Sequence, residues 1–258
     1  DPRTDLESFA SVSKGIYDLE KLGETHIKPF EMARYPVTNQ WFETFKIDGG
    51  YENSDLWSIQ GEKWLTFTKT RQPKFWDERK WRCPTAPVVG VCWWEADAFC
   101  RWLTETKNDN WAYLLPDEHQ WQAAAAGFEK RKFPWGPKWI EDACNTSEAK
   151  TGRISPVGIF RAGKTPGKVW ISDMAGNVWE WTRSDYQSKK TLNDFLFDKE
   201  IEKLIENNDL LKANEYALDG NVKELNEVLK KYMKISSKNN ALANIYGWCY
   251  MAQLEKAV

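Results

Sequence analysis

The first helix that the sequence predicts follows Thr38. Trp41, Phe42 and Phe45 stand three or four positions apart or side by side, as on one helical face. Threonine is a favoured residue at the N-terminal cap of a helix, and the pair Gly49–Gly50 favours termination. The pattern therefore predicts a short helix with one aromatic face.

Two more helices are predicted before residue 130, with short strands on either side. Apolar residues recur at helical spacing from Trp94 to Leu103, and a third helix opens at Pro116-Asp117-Glu118 and ends at Gly127. Apolar stretches from His26 to Ala33 and from Ile154 to Ile159 predict short strands. The loops between them are long, and buried indoles or a bound ion would hold them in place.

Beyond residue 187 the pattern changes to amphipathic helix. An apolar stripe runs from Val222 to Met233, and Leu192 to Ile205 and Ala241 to Leu254 predict two further helices. All 11 prolines lie at or before Pro166, and of the 16 tryptophans only Trp248 lies in this region. The sequence thus predicts a loop-rich domain at 1–187, followed by a small all-α bundle or helical-hairpin segment at 188–258.

Charge and composition narrow the classes of partner. Charged residues make up 29% of the chain and the net charge is -2, which favours neither nucleic acid nor a membrane surface. The aromatic and basic residues of 72–82 are interleaved with acids, so we interpret that stretch as a surface loop. Five cysteines without tight spacing indicate reduced thiols, and no signal-peptide pattern opens the sequence. We expect a cytoplasmic protein.

Five phrases occur in a fixed order over about 150 residues. They are YPVTNQWFETF (Tyr35 to Phe45), PVVGVCWWEADAFCRWL (Pro87 to Leu103), LLPDEHQWQAAAAG (Leu114 to Gly127), FPWG (Phe133 to Gly136) and DMAGNVWEW (Asp173 to Trp181). Together they resemble the formylglycine-generating, or sulfatase-modifying factor, family. The resemblance implies an α+β fold of the C-type-lectin-like kind with little regular structure.

The DMAGNVWEW phrase also suggests a metal site. Carboxylates and carbonyls are the ligands that calcium prefers, and in the family this string binds calcium. The resemblance assigns a structural calcium ion to the side chains of Asp173 and Glu180 and the carbonyls of Gly176 and Val178. The alternative is that Glu180 pairs with an arginine and Asp173 caps a turn.

A second calcium position of the family would fall at Asn145 and Thr146. The acid nearest to it in the sequence is Glu148. The resemblance therefore places a second candidate site here, with fewer acidic ligands than the first.

The resemblance stops after WEW. Family enzymes continue with a Gly-Gly-Ser segment, a cysteine pair that binds copper, and a closing Gly-Phe-Arg, whereas this chain continues with TRSDYQSKKTLNDF and carries only Cys249. One thiol does not make a copper(I) site, so no copper is expected. A nucleophile pair of Cys92 or Cys100 with His119 is conceivable, but the helical spacing of Cys100 favours core packing. Residues 188–258 contain no histidine for an iron site like that of the ergothioneine-synthesis relatives.

These observations favour a non-catalytic recognition or scaffolding module that binds a protein or a small ligand. One alternative is a shortened or split oxidoreductase of the formylglycine-generating type. Another is the N-terminal part of a larger bacterial signalling or defence effector. Fold-level analogy alone does not decide between them.

Overall fold

The computed structural model describes residues 8–20, 22–168 and 170–184, and the predicted helical segment 188–258 lies outside them. The described part contains four strands and four α-helices, joined by loops and short 3₁₀ turns. The strands are β1 (Phe9–Val12), β2 (Gly15–Leu19), β3 (Gly23–Ile27) and β4 (Phe30–Ala33), and the helices are α1 (Asn39–Ile47), α2 (Ile59–Thr68), α3 (Trp93–Lys107) and α4 (Glu118–Ala126).

The four strands form two antiparallel pairs, one nested inside the other along the chain. β1 pairs with β4 from Phe9↔Ala33 to Val12↔Phe30, and β2 pairs with β3 from Gly15↔Ile27 to Leu19↔Gly23. The stretch from His26 to Ala33, predicted to form short strands, contains the end of β3 and all of β4, because the chain leaves one sheet after Ile27 and enters the other at Phe30. Proline at position 29 has no N–H to donate to a ladder.

The stretch from Ile154 to Ile159 was also predicted as a strand, and that prediction is wrong. The described chain here is a loop with a turn at Gly158, where φ is +70°. Its backbone is held by scattered bonds: the Val157 N–H donates to the Thr85 carbonyl at 2.8 Å and the Gly158 N–H to the Asp173 carboxylate at 2.6 Å. The backbone of this segment thus bonds to separate residues and not to a neighbouring strand, which its apolar sequence alone does not reveal.

The helix boundaries follow the capping residues. The Thr38 hydroxyl accepts from the Trp41 N–H at 3.3 Å, and in α4 Asp117 and Gln120 exchange side-chain-to-backbone hydrogen bonds. α3 runs on to Lys107, four residues past its predicted end. α2 was not predicted, although the Ser58 hydroxyl caps it by accepting from the Gly61 N–H at 3.1 Å.

Helices α1, α2 and α3 enclose an aromatic core. Its members are Trp41, Phe42, Phe45, Tyr51, Leu56, Trp57, Trp64, Leu65, Ala98, Phe99, Trp102 and Leu103. Phe42 stacks on Phe99 with ring centroids 5.5 Å apart, and Trp41 meets Phe99 edge to face at 5.4 Å. A second apolar cluster joins the two strand pairs to α4 through Tyr17, Leu19, Ala123 and Ala124.

Buried indoles hold the loops, as predicted. The Trp57 indole N–H donates to the Gly50 carbonyl at 2.9 Å, fixing the turn after α1. Gly50 also lets the chain pass close to the core, since a β-carbon there would stand 2.1 Å from the Phe45 ring. Within the described residues, the helices are too short or too polar to cross a membrane.

Candidate functional site

A cleft of 580 Å³ opens between strand β4, helices α3 and α4, and the segment 171–183. Its walls are mainly apolar and include Phe30, Met32, Phe99 and Leu103. Polar groups reach it from the DMAGNVWEW segment and from α4. Its volume falls in the range of small-molecule sites in proteins.

The far wall of the cleft is a segment held on both sides by indoles. The Trp181 indole N–H donates to the Val91 carbonyl at 3.0 Å, just before α3. In return, the Trp93 indole N–H, from the first residue of α3, donates to the Thr182 carbonyl at 3.0 Å. We call this reciprocal pair of bonds the indole latch. It fixes residues 181–182 against the start of α3.

The residues after the indole latch are fixed to the start of α4. The Arg183 N–H donates to the Pro116 carbonyl at 2.9 Å, and its guanidinium Nη2 lies 3.2 Å from both Asp117 and Gln120. The Ser184 hydroxyl accepts from the Glu118 N–H at 2.8 Å. The first turn of α4 therefore holds the last described residues of the chain.

Glu180 directly precedes these two attachments and lines the cleft. Its carboxylate accepts from the Trp121 indole N–H at 3.3 Å, whereas Arg183 pairs with Asp117. Protein atoms packed around the carboxylate raise the pKa of Glu180, and the negative charge of Asp173 raises it further, whereas the hydrogen bond from Trp121 lowers it. The side chain is exposed at the cleft mouth, so water reaches a carboxylate that protein otherwise crowds.

Asp173 and Gly176 sit at the two ends of a tight loop. Asp173 is 9% exposed, and its backbone φ is +59°. Its carboxylate accepts a hydrogen bond from the Gly158 N–H at 2.6 Å, and burial raises its pKa. Gly176 has φ of +77°, and a β-carbon there would come within 2.4 Å of the Asn145 carbonyl. Its own carbonyl accepts from the Val178 N–H at 2.9 Å.

The four residues assigned to calcium thus lie in one loop and its continuation, and Asp173 and Glu180 are close enough for their charges to interact. Across the described residues, His, Cys, Asp and Glu side chains form no metal-binding group of three or more. The set assigned from the sequence has only two carboxylates, with carbonyls of Gly176 and Val178 beside them. The calcium site therefore stays a prediction.

The second candidate calcium position is occupied by a network of neutral side chains. The Asn145 amide donates to the Arg153 carbonyl at 2.9 Å and to the Asn177 side chain at 3.1 Å, and its oxygen accepts from Thr151. Glu148 accepts from the Ser147 hydroxyl at 3.0 Å. Because the Asn145 amide already has protein partners, this position offers a cation fewer oxygens than the first.

Cys92 and Cys100, the two cysteines considered as nucleophiles, are not activated. Burial raises the pKa of Cys100 to about 12, and burial with the charge of Glu95 raises that of Cys92. Cys100 lies on the cleft wall. The His119 imidazole Nδ1 lies 3.9 Å from Asp117 in the first turn of α4. Cys249 lies outside the described residues.

The sequence prediction missed three features of this site: the partners of Glu180, the attachment of Arg183 to α4, and the exposure of Trp179, whose side chain is 89% open to solvent. The first two depend on contacts between residues about 60 positions apart. The sequence around each of these residues gives no sign of a partner so far away in the chain.

Comparison with known sequences identifies the family of this chain. The family model described as the sulfatase-modifying factor enzyme 1-like domain matches residues 7–247. The chain therefore belongs to the sulfatase-modifying factor family, which confirms the resemblance drawn from the five phrases. The match extends past residue 187 into the predicted helical segment.

Individual relatives carry several different names. The chain is 29% identical over 200 residues to the inactive C-alpha-formylglycine-generating enzyme 2 of Bos taurus, covering 64% of this chain and 63% of the relative. It is 31% identical over 173 residues to the hercynine oxygenase of Mycobacterium tuberculosis, covering 61% and 38%. It is 27% identical over 215 residues to the formylglycine-generating enzyme of Bos taurus, covering 65% and 53%.

The chain spans less than two thirds of the length of these relatives. Among solved structures, the crystal structure of CarF aligns with a TM-score of 0.46 and 19% identity, covering 72% of this chain and 83% of that one.

Proposed function

We propose that the chain is a non-catalytic recognition or scaffolding module on a C-type-lectin-like fold, with a protein or a small ligand as its partner. The observation that carries the proposal is the state of two thiols of α3 and its N-cap, Cys100, which lines the cleft, and Cys92: burial raises the pKa of both, which leaves them as thiols near neutral pH. The likeness to a relative named inactive supports the same conclusion.

An oxidoreductase of the formylglycine-generating type is the second candidate, supported by the relatives that bear that name. The full chain, loaded with copper(I) and incubated in air with a cysteine-containing sulfatase peptide, is expected to yield no formylglycine by mass spectrometry. The Bos taurus formylglycine-generating enzyme, treated in parallel, is the positive control. Formation of the aldehyde by this chain would establish the second candidate instead.

We also propose that Asp173, Glu180 and the carbonyls of Gly176 and Val178 hold a structural calcium ion. Two carboxylates with raised pKa values repel each other in this loop, and a divalent cation beside them would remove that repulsion. The ion would fix the residues that lead into the indole latch.

Calcium is therefore expected to raise the melting temperature of the wild-type protein relative to a sample in EDTA. A ligand that binds only the native state contributes about 2.7 kcal/mol at roughly 100 times its dissociation constant. The Glu180→Gln variant, which loses one charged ligand, is expected to fold and to lose this response. Differential scanning calorimetry with and without calcium measures both effects.

Glu105→Gln, on the exposed surface of α3, is the matched control and should respond to calcium as the wild type does. Identical wild-type melting curves in calcium and EDTA, with Glu180→Gln unfolded in both, would make Glu180 a structural hydrogen-bond acceptor for Trp121 and not a calcium ligand.

A further inference from the structure

The rim of the cleft carries large apolar side chains that are open to solvent. Trp179 is 89% exposed, Leu114 58% and Trp111 56%, and all three line the cleft. Scattered single apolar residues are normal on a protein surface, whereas a set around one concave apolar site marks a contact surface. The exposed apolar side chains of the rim therefore indicate a surface that another apolar segment contacts.

The chain leaves the described part of the structure at this cleft. Arg183 lines the cleft, and the next residue, Ser184, is bonded to the first turn of α4. The sequence continues for 74 residues beyond Ser184. The family match extends through most of them, to residue 247. A long segment of the same chain therefore starts beside an apolar surface.

One part of that segment is chemically suited to the cleft. Residues 239–254, sixteen in succession, include no Asp, Glu, Lys or Arg, whereas charged residues recur throughout 188–238. The uncharged stretch carries the large apolar side chains Ile245, Tyr246, Trp248, Tyr250 and Met251. It contains the helix predicted from Ala241 to Leu254, which would be about 21 Å long.

We infer that residues 239–254 dock into the cleft of the same chain and cover Trp179, Trp111 and Leu114. The occupant is apolar and uncharged, which matches the apolar walls and rim. Residues 185–238 make 54 residues between Ser184 and this stretch, and a flexible chain of that length would reach about 40 Å, the width of a small domain. Tethering gives the segment an effective concentration of order millimolar, which favours it over a free partner.

Crosslinking in the full-length chain tests this inference. Cys249 lies in the proposed occupant, and Leu114→Cys places a thiol on the rim, in a background in which the exposed Cys83 is replaced by serine. A short bis-maleimide is expected to join positions 114 and 249 within one molecule, identified by peptide mapping of the monomer band. Ile59→Cys, 65% exposed on α2 and not part of the cleft, is the matched control and should give little crosslink.

A second variant checks that the crosslink reports docking. Trp248→Glu places a charge in the occupant and is expected to lower the yield between positions 114 and 249 about tenfold or more. The inference is overturned if Leu114→Cys and Ile59→Cys give equal yields, if neither crosslinks, or if Trp248→Glu changes nothing. A dimer-sized product would also overturn it, since the occupant would then be a second copy of the chain.

Discussion

Replacing Phe45 by alanine is expected to lower the free energy of unfolding by about 3–5 kcal/mol, the usual cost of emptying a buried aromatic site. Phe45 has no exposed area and its ring lies within 6.0 Å, centroid to centroid, of Phe42, Tyr51, Phe99 and Trp102. These rings come from α1, α3 and the turn between α1 and α2, so they cannot all move together into the cavity. Urea denaturation followed by far-ultraviolet circular dichroism measures the change.

Ile47 provides the matched control. It lies two residues further along α1 and is 77% exposed, so Ile47→Ala should change the free energy of unfolding by about 0.5 kcal/mol or less. A Phe45→Ala variant no less stable than Ile47→Ala would show that the aromatic cluster of α1 to α3 is not the core that stabilises this domain.

The stability of the protein is expected to fall as pH rises from about 4.5 to 7 because of one buried acid. Glu95 is 2% exposed, and burial raises its pKa from 4.5 to about 7, against the hydrogen bonds from Tyr51 at 2.5 Å and from the Cys92 N–H at 2.7 Å. Because the folded-state pKa lies above the unfolded one, the native protein binds more protons across this window. The stabilisation is therefore complete at the acid end and is lost as Glu95 ionises.

Glu95→Gln keeps the shape of the side chain and removes the ionisation. With each pKa unit worth 1.36 kcal/mol, the wild type should lose about 3 kcal/mol relative to this variant between pH 4.5 and pH 8. Urea denaturation of both proteins across this range, in EDTA, measures the difference, and contributions from Glu180 cancel between them. Glu105→Gln, exposed on the same helix, should track the wild type throughout. A constant gap between wild type and Glu95→Gln would contradict the raised pKa.

The sequence predicts this fold best where capping residues and one-sided apolar patterns coincide. Thr38 and the aromatic residues after it locate α1, and Pro116-Asp117-Glu118 locates the start of α4, because each signal is local. α2 escapes the same analysis because its apolar residues do not share one side: Trp64 is buried while Ile59 is 65% exposed. Tertiary contacts with the aromatic core, and not the helix's own pattern, hold it.

At the candidate site, local sequence signals reveal even less, because most of its contacts join distant parts of the chain. Family phrases assign Asp173 and Glu180 to one candidate site, but no local rule indicates that Trp121 bonds Glu180 or that Arg183 pairs with Asp117. These partners meet only because α4 and the segment after residue 180 pack together. Contacts of this kind depend on the assembled domain, so they become visible only in the structure.

The indole latch has a consequence for how the domain folds. Its two hydrogen bonds join residues 89 and 90 positions apart, whereas the ring contacts within α1 join residues a single helical turn apart. Closing a long loop costs entropy before any distant contact repays it, so local contacts form first. The latch therefore belongs to the late stage of folding, and a nascent chain would hold its helices before the WEW segment reaches α3.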